Sequence, residues 1–191
     1  MIINQKIYFI HVPRTGGRFI RDSLIKNNYN VQLYFYNTFY KGKEIPHLTY
    51  PEYEQFLNYK PLKNFAIVRE PVDRFISMIK HGVTFNEEKI NKMFRTEEDF
   101  NQTINQEILI SSSNWFVPQI NFINYHTKIW KFEDGFGKKW IEWMMNNFEI
   151  KILELPMKQQ DNYVTDNFSL NEKKIQYIKN YYYKDYKLLN Y

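Results

Sequence analysis

The sequence predicts an α/β fold, a three-layer sandwich with helices packed around a central, mainly parallel sheet. Two observations carry that expectation. Short apolar runs rich in β-branched and aromatic residues alternate along the chain with segments of helical periodicity. Twice, such a run passes through a basic turn straight into a helix: in "KIYFIHVPRTGGRFIRDSLIK" and in "KNFAIVREPVDRFISMIKHG". A third observation bounds the number of domains. With 191 residues, 43% of them hydrophobic, the chain suffices for one sizeable core, and no repeat or breaker-rich linker divides it, so residues 1–191 are read as a single domain.

The elements follow in order. Residues 6–12 form a strand, and a helix begins at the Gly16–Gly17 pair and runs to Lys26, with Phe19, Ile20, Ser23 and Leu24 at helical spacing. "VQLYFYN" is a candidate short strand. "TYPEYEQFL" predicts a short helix, with Thr49 as cap, Pro51 at the first position and Glu52 in the first turn. Phe65 to Val68 form a second apolar strand, followed by a helix with Phe75, Ile76 and Ile79 on one face. Residues 84–113 are polar and helical in parts. "TKIWKFED" reads as strand and turn, "GKKWIEWMMNNF" as helix and "FEIKILEL" as one more strand. A polar connection then leads to a helical tail from Leu170, capped by Asn171 or Ser169.

Composition narrows the partners. The net charge of +5, from 26 basic and 21 acidic residues, favours an anionic ligand but is mild beside a dedicated nucleic-acid binder, so no nucleic acid is expected. The absence of cysteine excludes disulfides and thiol chemistry. No leader-like segment and no apolar run of about 18 residues is present, so the expectation is a soluble, cytoplasmic protein without a membrane partner.

In a parallel sheet, ligands gather beyond the carboxyl ends of the strands, where both basic turns should lie. In "PRTGGRF" the glycines admit close backbone approach, the helix start offers unpaired N–H groups, Arg14 and Arg18 add charge and Thr15 a hydroxyl. On the motif alone, an anion site and an ordinary tight turn with solvated arginines stand level. The loop lacks the length and the lysine-hydroxyl pair of a nucleotide triphosphatase, which places magnesium, and no metal is expected.

With the second turn included, the chain resembles the sulfotransferases that use 3′-phosphoadenosine 5′-phosphosulfate, in particular the carbohydrate branch that includes heparan sulfate 2-O-sulfotransferase. "HVPRTGGRFI" is similar to their 5′-phosphosulfate loop, and "FAIVREPVDRFISMIKHG" to their 3′-phosphate element. "NWFVPQINFI", "IWKFEDGF" and "YYYKDYKLLNY" extend the likeness in order over nearly the whole chain. The resemblance implies a P-loop NTPase-like fold, with Arg14, Thr15, Gly16, Gly17, Arg18 and Phe19 around the 5′-phosphosulfate and Arg69 and Ser77 at the 3′-phosphate. It departs from the family at Arg14, where a lysine is usual, at Arg18, where a hydroxyl residue is usual, and at Glu70, where aspartate is usual. Arginine keeps the charge but donates no proton.

A base is still required. His47 lies 22 residues before Arg69, a position similar to that of the histidine base in the 2-O-sulfotransferase branch. An unperturbed histidine titrates near 6.5 and takes a hydroxyl proton readily at neutral pH. His81 and then Glu44 are the reserves, His11 reads as loop packing and His126 as surface. Trp115 is the aromatic assigned to an acceptor cleft, with Gln119 beside it by resemblance. The resemblance thus implies transfer of a sulfuryl group to a hydroxyl acceptor, a glycan, with Arg14 and His47 catalytic. The alternatives are a nucleotide-dependent phosphotransferase and a non-catalytic binder of nucleotide or anionic polymer. Oligomeric state has no signal in the sequence.

Overall fold

The computed structural model describes residues 1–33, 38–57, 61–81, 85–157 and 170–191. Five strands form one sheet in the order β3 (Val31–Gln32), β1 (Ile2–Ile3), β2 (Ile7–Ile10), β6 (Lys63–Val68), β7 (Lys128–Lys131). β2, β6 and β7 are parallel neighbours, while β1 is antiparallel to both β2 and β3, so the sheet is mixed with β1 its one reversed strand. A separate hairpin joins β4 (Phe39–Tyr40) to β5 (Lys43–Glu44). The α/β expectation holds at this level.

The central strands read as continuous apolar runs because both faces are covered. Ile7, Phe9, Phe65, Ile67 and Trp130 pack on one side with Ile20 and Leu24 of α1 (Gly17–Lys26) and Trp140, Met144 and Phe148 of α6 (Lys138–Phe148). Tyr8, Ile10 and Ala66 face the other way, against Tyr53 of α2 (Tyr50–Phe56) and Phe122 of a 3₁₀ turn (Gln119–Phe122). A further core lies among α3 (Pro71–Lys80), α4 (Glu87–Met93), α5 (Glu97–Ile110) and α7 (Glu172–Tyr181).

The expected helices at 17–26, 50–56 and 71–80 form where the pattern puts them. Thr49 and Glu52 make a reciprocal capping box, with Pro51 one residue further into the first turn than expected. Two expectations are corrected. "FEIKILEL" joins no sheet: the N–H groups of Leu153 and Glu154 go to the Asn27 side chain at 2.7 and 3.1 Å, and that of Lys151 to the Tyr29 hydroxyl at 2.6 Å. Side chains supply the hydrogen bonds that a neighbouring strand would have made. The tail is two helices, α7 and α8 (Tyr183–Leu189), parted at Tyr182. Asn171 caps α7 through the N–H of Lys174, whereas Ser169, most of "VQLYFYN" beyond Leu33 and the connection before the tail lie outside the described residues. Among the described residues no helix is long and apolar enough to cross a membrane.

Candidate functional site

The parallel strands β2, β6 and β7 deliver three chain segments to one end of the sheet. Residues after β2 form the loop from His11 to Gly17, Arg69 follows β6 and Phe132 follows β7. The register pairs Val68 with Lys131, which sets the next residues side by side, and the Arg69 guanidinium lies 4.6 Å from the centre of the Phe132 ring. Between these segments opens a cleft of about 450 Å³. Arg14, Gly16, Gly17, Arg18, His47, Arg69 and Ser77 all line it. The structure therefore brings together seven of the residues singled out in sequence, drawn from three separated stretches of chain.

The contacts give each its place. Arg14 has a left-handed backbone (φ 65°) and its Nε donates to Ser77 Oγ at 3.1 Å, so the first basic turn touches the helix that follows the second. Arg69 keeps its Nε buried with no hydrogen-bond partner. Its backbone is clamped by Gln119, whose amide nitrogen donates to the Arg69 carbonyl at 2.7 Å and whose carbonyl oxygen accepts from the Arg69 N–H at 2.9 Å. Gln119 is fully buried, so it positions the Arg69 turn and does not face an acceptor, contrary to the expectation for it.

Two predicted residues stand apart from the cleft. Thr15 is buried and its hydroxyl donates to the Val12 carbonyl at 2.8 Å, closing the loop from within. Phe19 stacks on Phe136 with ring centres 4.9 Å apart and lines a second cavity of about 610 Å³. That cavity also takes in Phe132 and Phe136, and it shares Gly16, Arg18 and Phe132 with the cleft. A larger depression of about 720 Å³ opens at the opposite end of the sheet, near Lys63 and Lys128, and none of the predicted site residues lines it.

The glycines serve packing as much as ligand approach. A Cβ on Gly17 would lie 1.8 Å from His11 Nε2, so the His11 ring occupies the space a side chain would need. Gly16 has φ +87°, and a Cβ there would press on Phe132 and Phe136 at 3.2 Å.

His11 and His47 form a pair with ring centres 4.5 Å apart. The His47 Nδ1 lies 3.3 Å from the His11 carbonyl, an acceptor only, so Nδ1 carries the proton and Nε2 holds the lone pair, 4.0 Å from Glu44 Oε2. The Asn114 amide holds the His47 carbonyl at 3.1 Å and Glu52 Oε2 at 2.8 Å, fastening this loop to the capping box of α2. Burial pushes the His47 imidazole down to about 4, against the opposing pull of its hydrogen bond to His11. Burial, then the neighbouring His47, holds His11 well below the usual histidine range. Both rings are neutral at pH 7, and His47 titrates lower than an unperturbed histidine.

This has a measurable consequence. Between about pH 4 and 6.5 the unfolded chain binds more protons at His47 than the folded one, so stability is full above 6.5 and falls as pH drops towards 4. The full loss at His47 is about 3 kcal/mol, with His11 acting in the same direction. Urea unfolding should show a lower midpoint at pH 5 than at pH 7, and His47→Gln should flatten that dependence. Equal midpoints for the parent protein would contradict the burial of both rings.

Sequence reasoning passed over Arg74 and Asp185. Arg74 is 1% exposed; its Nε donates to the Pro13 carbonyl at 3.1 Å, and one terminal nitrogen to those of Trp115 and Val117 at 2.6 and 3.0 Å. It staples the loop after β2 to the segment that carries Trp115. Asp185, buried in α8, accepts from the N–H groups of Gln119 and Ile120 at 2.9 and 3.1 Å. An arginine within the apolar face Phe75, Met78 and Ile79 was the available signal, since a charge there must be paired to be tolerated. Reserve candidates are close as well: Glu44 and His81 line the cleft, and His81 stacks on Trp115 with ring centres 5.4 Å apart.

The structure thus defines an α/β protein with an arginine-lined cleft at the carboxyl ends of its parallel strands. No protein family, curated protein or solved structure matches the chain. The functional reading therefore rests on the motifs and on this geometry.

Proposed function

We propose that the protein is a sulfotransferase of P-loop-like fold that moves a sulfuryl group from 3′-phosphoadenosine 5′-phosphosulfate to a hydroxyl acceptor. The observation that carries this reading is the convergence of two basic strand-to-helix turns on one cleft that adjoins an aromatic cavity. A donor with two separate anionic groups and a flat base has the chemistry for such a pair of spaces. Arg14, Arg18 and the start of α1 suit the phosphosulfate, and Arg69, with its buried unpartnered Nε, together with Ser77 suits the 3′-phosphate. Phe19, Phe132 and Phe136 line the adjoining cavity and suit the flat base.

In this reading His47 Nε2 takes the proton of the acceptor hydroxyl as its oxygen bonds to sulfur. The bond from sulfur to the 5′-phosphate oxygen breaks on the opposite side, and the electron pair leaves with 3′-phosphoadenosine 5′-phosphate. Arg14 and the loop N–H groups stabilise the charge that develops on the transferring and leaving groups. A phosphotransferase would need the terminal lysine and hydroxyl of a nucleotide triphosphatase loop, which "PRTGGRF" does not have.

The donor is tested by melting. 3′-Phosphoadenosine 5′-phosphate should raise the melting temperature far more than AMP or ATP, because only a ligand that binds the folded state shifts it. Arg69→Ala should cost about 1.5 to 3 kcal/mol of that binding, roughly 10- to 150-fold in affinity. Equal shifts for AMP and the 3′-phosphorylated nucleotide would refute the assignment. Stabilisation without transfer to any acceptor would mark a non-catalytic binder.

A further inference from the structure

The lining of the cleft divides by charge. Among the described residues, its fixed positive charges are Arg14, Arg18 and Arg69, and its one carboxylate is Glu44. The donor proposed above carries about four negative charges near neutral pH. At most three guanidiniums face them, so the loaded cleft, Glu44 included, holds a net charge of about −2.

The part of the lining left for an acceptor is also uncharged or negative. The Glu44 N–H donates to the Ser112 carbonyl at 2.8 Å, and Asn114 holds the His47 carbonyl at 3.1 Å, so Glu44, His47, Ser113 and Trp115 belong to one connected wall. Lys43, the basic residue next to Glu44, spends its ammonium on the carbonyls of Ile108 and Ser111 at 3.2 and 2.6 Å. His81 stacks on Trp115 with the rings inclined by 21°, and the Arg14 guanidinium lies over the same ring at 6.0 Å from its centre, so the indole is already engaged by its neighbours. A carboxylate held in this wall repels a second one brought against it.

We infer that the acceptor is an uncharged sugar residue, and that Glu44 turns away uronate-bearing and sulfated glycans. This rests on the donor reading and narrows it. An acidic acceptor would bring further negative charge to a cleft that the donor has already overfilled, with no arginine or lysine left over among the described residues of the lining to meet it.

The test compares two oligosaccharides at equal length, with donor saturating: a neutral N-acetylglucosamine oligomer and unsulfated heparosan, in which glucuronate alternates with N-acetylglucosamine. The neutral oligomer should accept sulfate with at least tenfold higher kcat/KM at low salt, and the gap should narrow at 0.3 M salt as the repulsion is screened. Glu44→Gln should narrow it too, by raising the heparosan value, while stabilisation by 3′-phosphoadenosine 5′-phosphate is kept or increased, since the same substitution removes a negative charge from the cleft. Heparosan accepted as well as the neutral oligomer, or sulfation of neither, overturns the inference. Loss of all turnover in Glu44→Gln also overturns it, since Glu44 would then act on the proton. Melting with 3′-phosphoadenosine 5′-phosphate separates the two levels: no stabilisation brings down the donor reading and this inference together, whereas stabilisation with a failed acceptor comparison brings down the inference alone.

Discussion

His47→Ala should lower turnover by about 10² to 10⁴ while the stabilisation by 3′-phosphoadenosine 5′-phosphate stays within error of the parent, because proton abstraction belongs to the transition state and not to donor binding. The geometry behind this is specific. The His11 carbonyl fixes the proton on Nδ1, and the bond from Asn114 to the His47 carbonyl fixes the loop, so Nε2 is a pre-set acceptor beside Glu44. Burial lowers its proton affinity to about 4, which keeps the imidazole unprotonated at pH 7 but makes it a weaker base. A bound anionic donor opposes that shift by favouring the imidazolium. The acid limb of the rate should accordingly lie above about pH 4 with donor bound, and it should vanish in His47→Ala. Full turnover in His47→Ala with the limb intact would move the role to the adjacent His11, and then to His81 or Glu44.

Gly17→Ala should remove both the stabilisation expected from 3′-phosphoadenosine 5′-phosphate and a substantial part of the stability, although it adds a single carbon. Its Cβ would lie 1.8 Å from His11 Nε2 and 2.0 Å from Cδ2, so either the ring or the start of α1 has to move. Neither is free to do so: His11 is 5% exposed, packed against His47 and Phe9, and α1 is buried against the sheet through Ile20 and Leu24. Overpacking of this kind typically costs about 1 to 3 kcal/mol. Chemical denaturation of Gly17→Ala, His11→Ala and the double variant forms a cycle. The double variant should recover much of the stability that Gly17→Ala loses, since removing the imidazole makes room for the methyl group. Additive losses, or a Gly17→Ala protein as stable as the parent, would contradict the close packing of ring on helix.

The units from β2 into α1 and from β6 into α3 were legible in the sequence because they are local. A strand covered on both faces is a continuous apolar run, an amphipathic helix repeats every three to four residues, and the basic turn between them is contiguous in sequence. The same patterns failed where pairing depends on distant neighbours. The two residues of β1 are too few to show a period, and "FEIKILEL" has the composition of a strand yet lies where Asn27 and Tyr29 take its hydrogen bonds.

For the site, the sequence by itself determined which residue types follow β2 and β6: arginines and glycines in the turns and a serine in α3, all suited to anions, and a histidine between the two turns. Only the tertiary structure decided their roles. It turned Thr15 inward to Val12, set Arg14 on Ser77, made Arg74 a staple to Pro13, placed Gln119 behind Arg69 and pressed His11 into the space that Gly17 leaves. Apart from the Thr15 contact within the loop and that of Gly17 with His11, these join residues 50 to 63 positions apart. Local periodicity carries no record of such contacts, because they exist only once parallel strands have brought separate turns to the same end of one sheet.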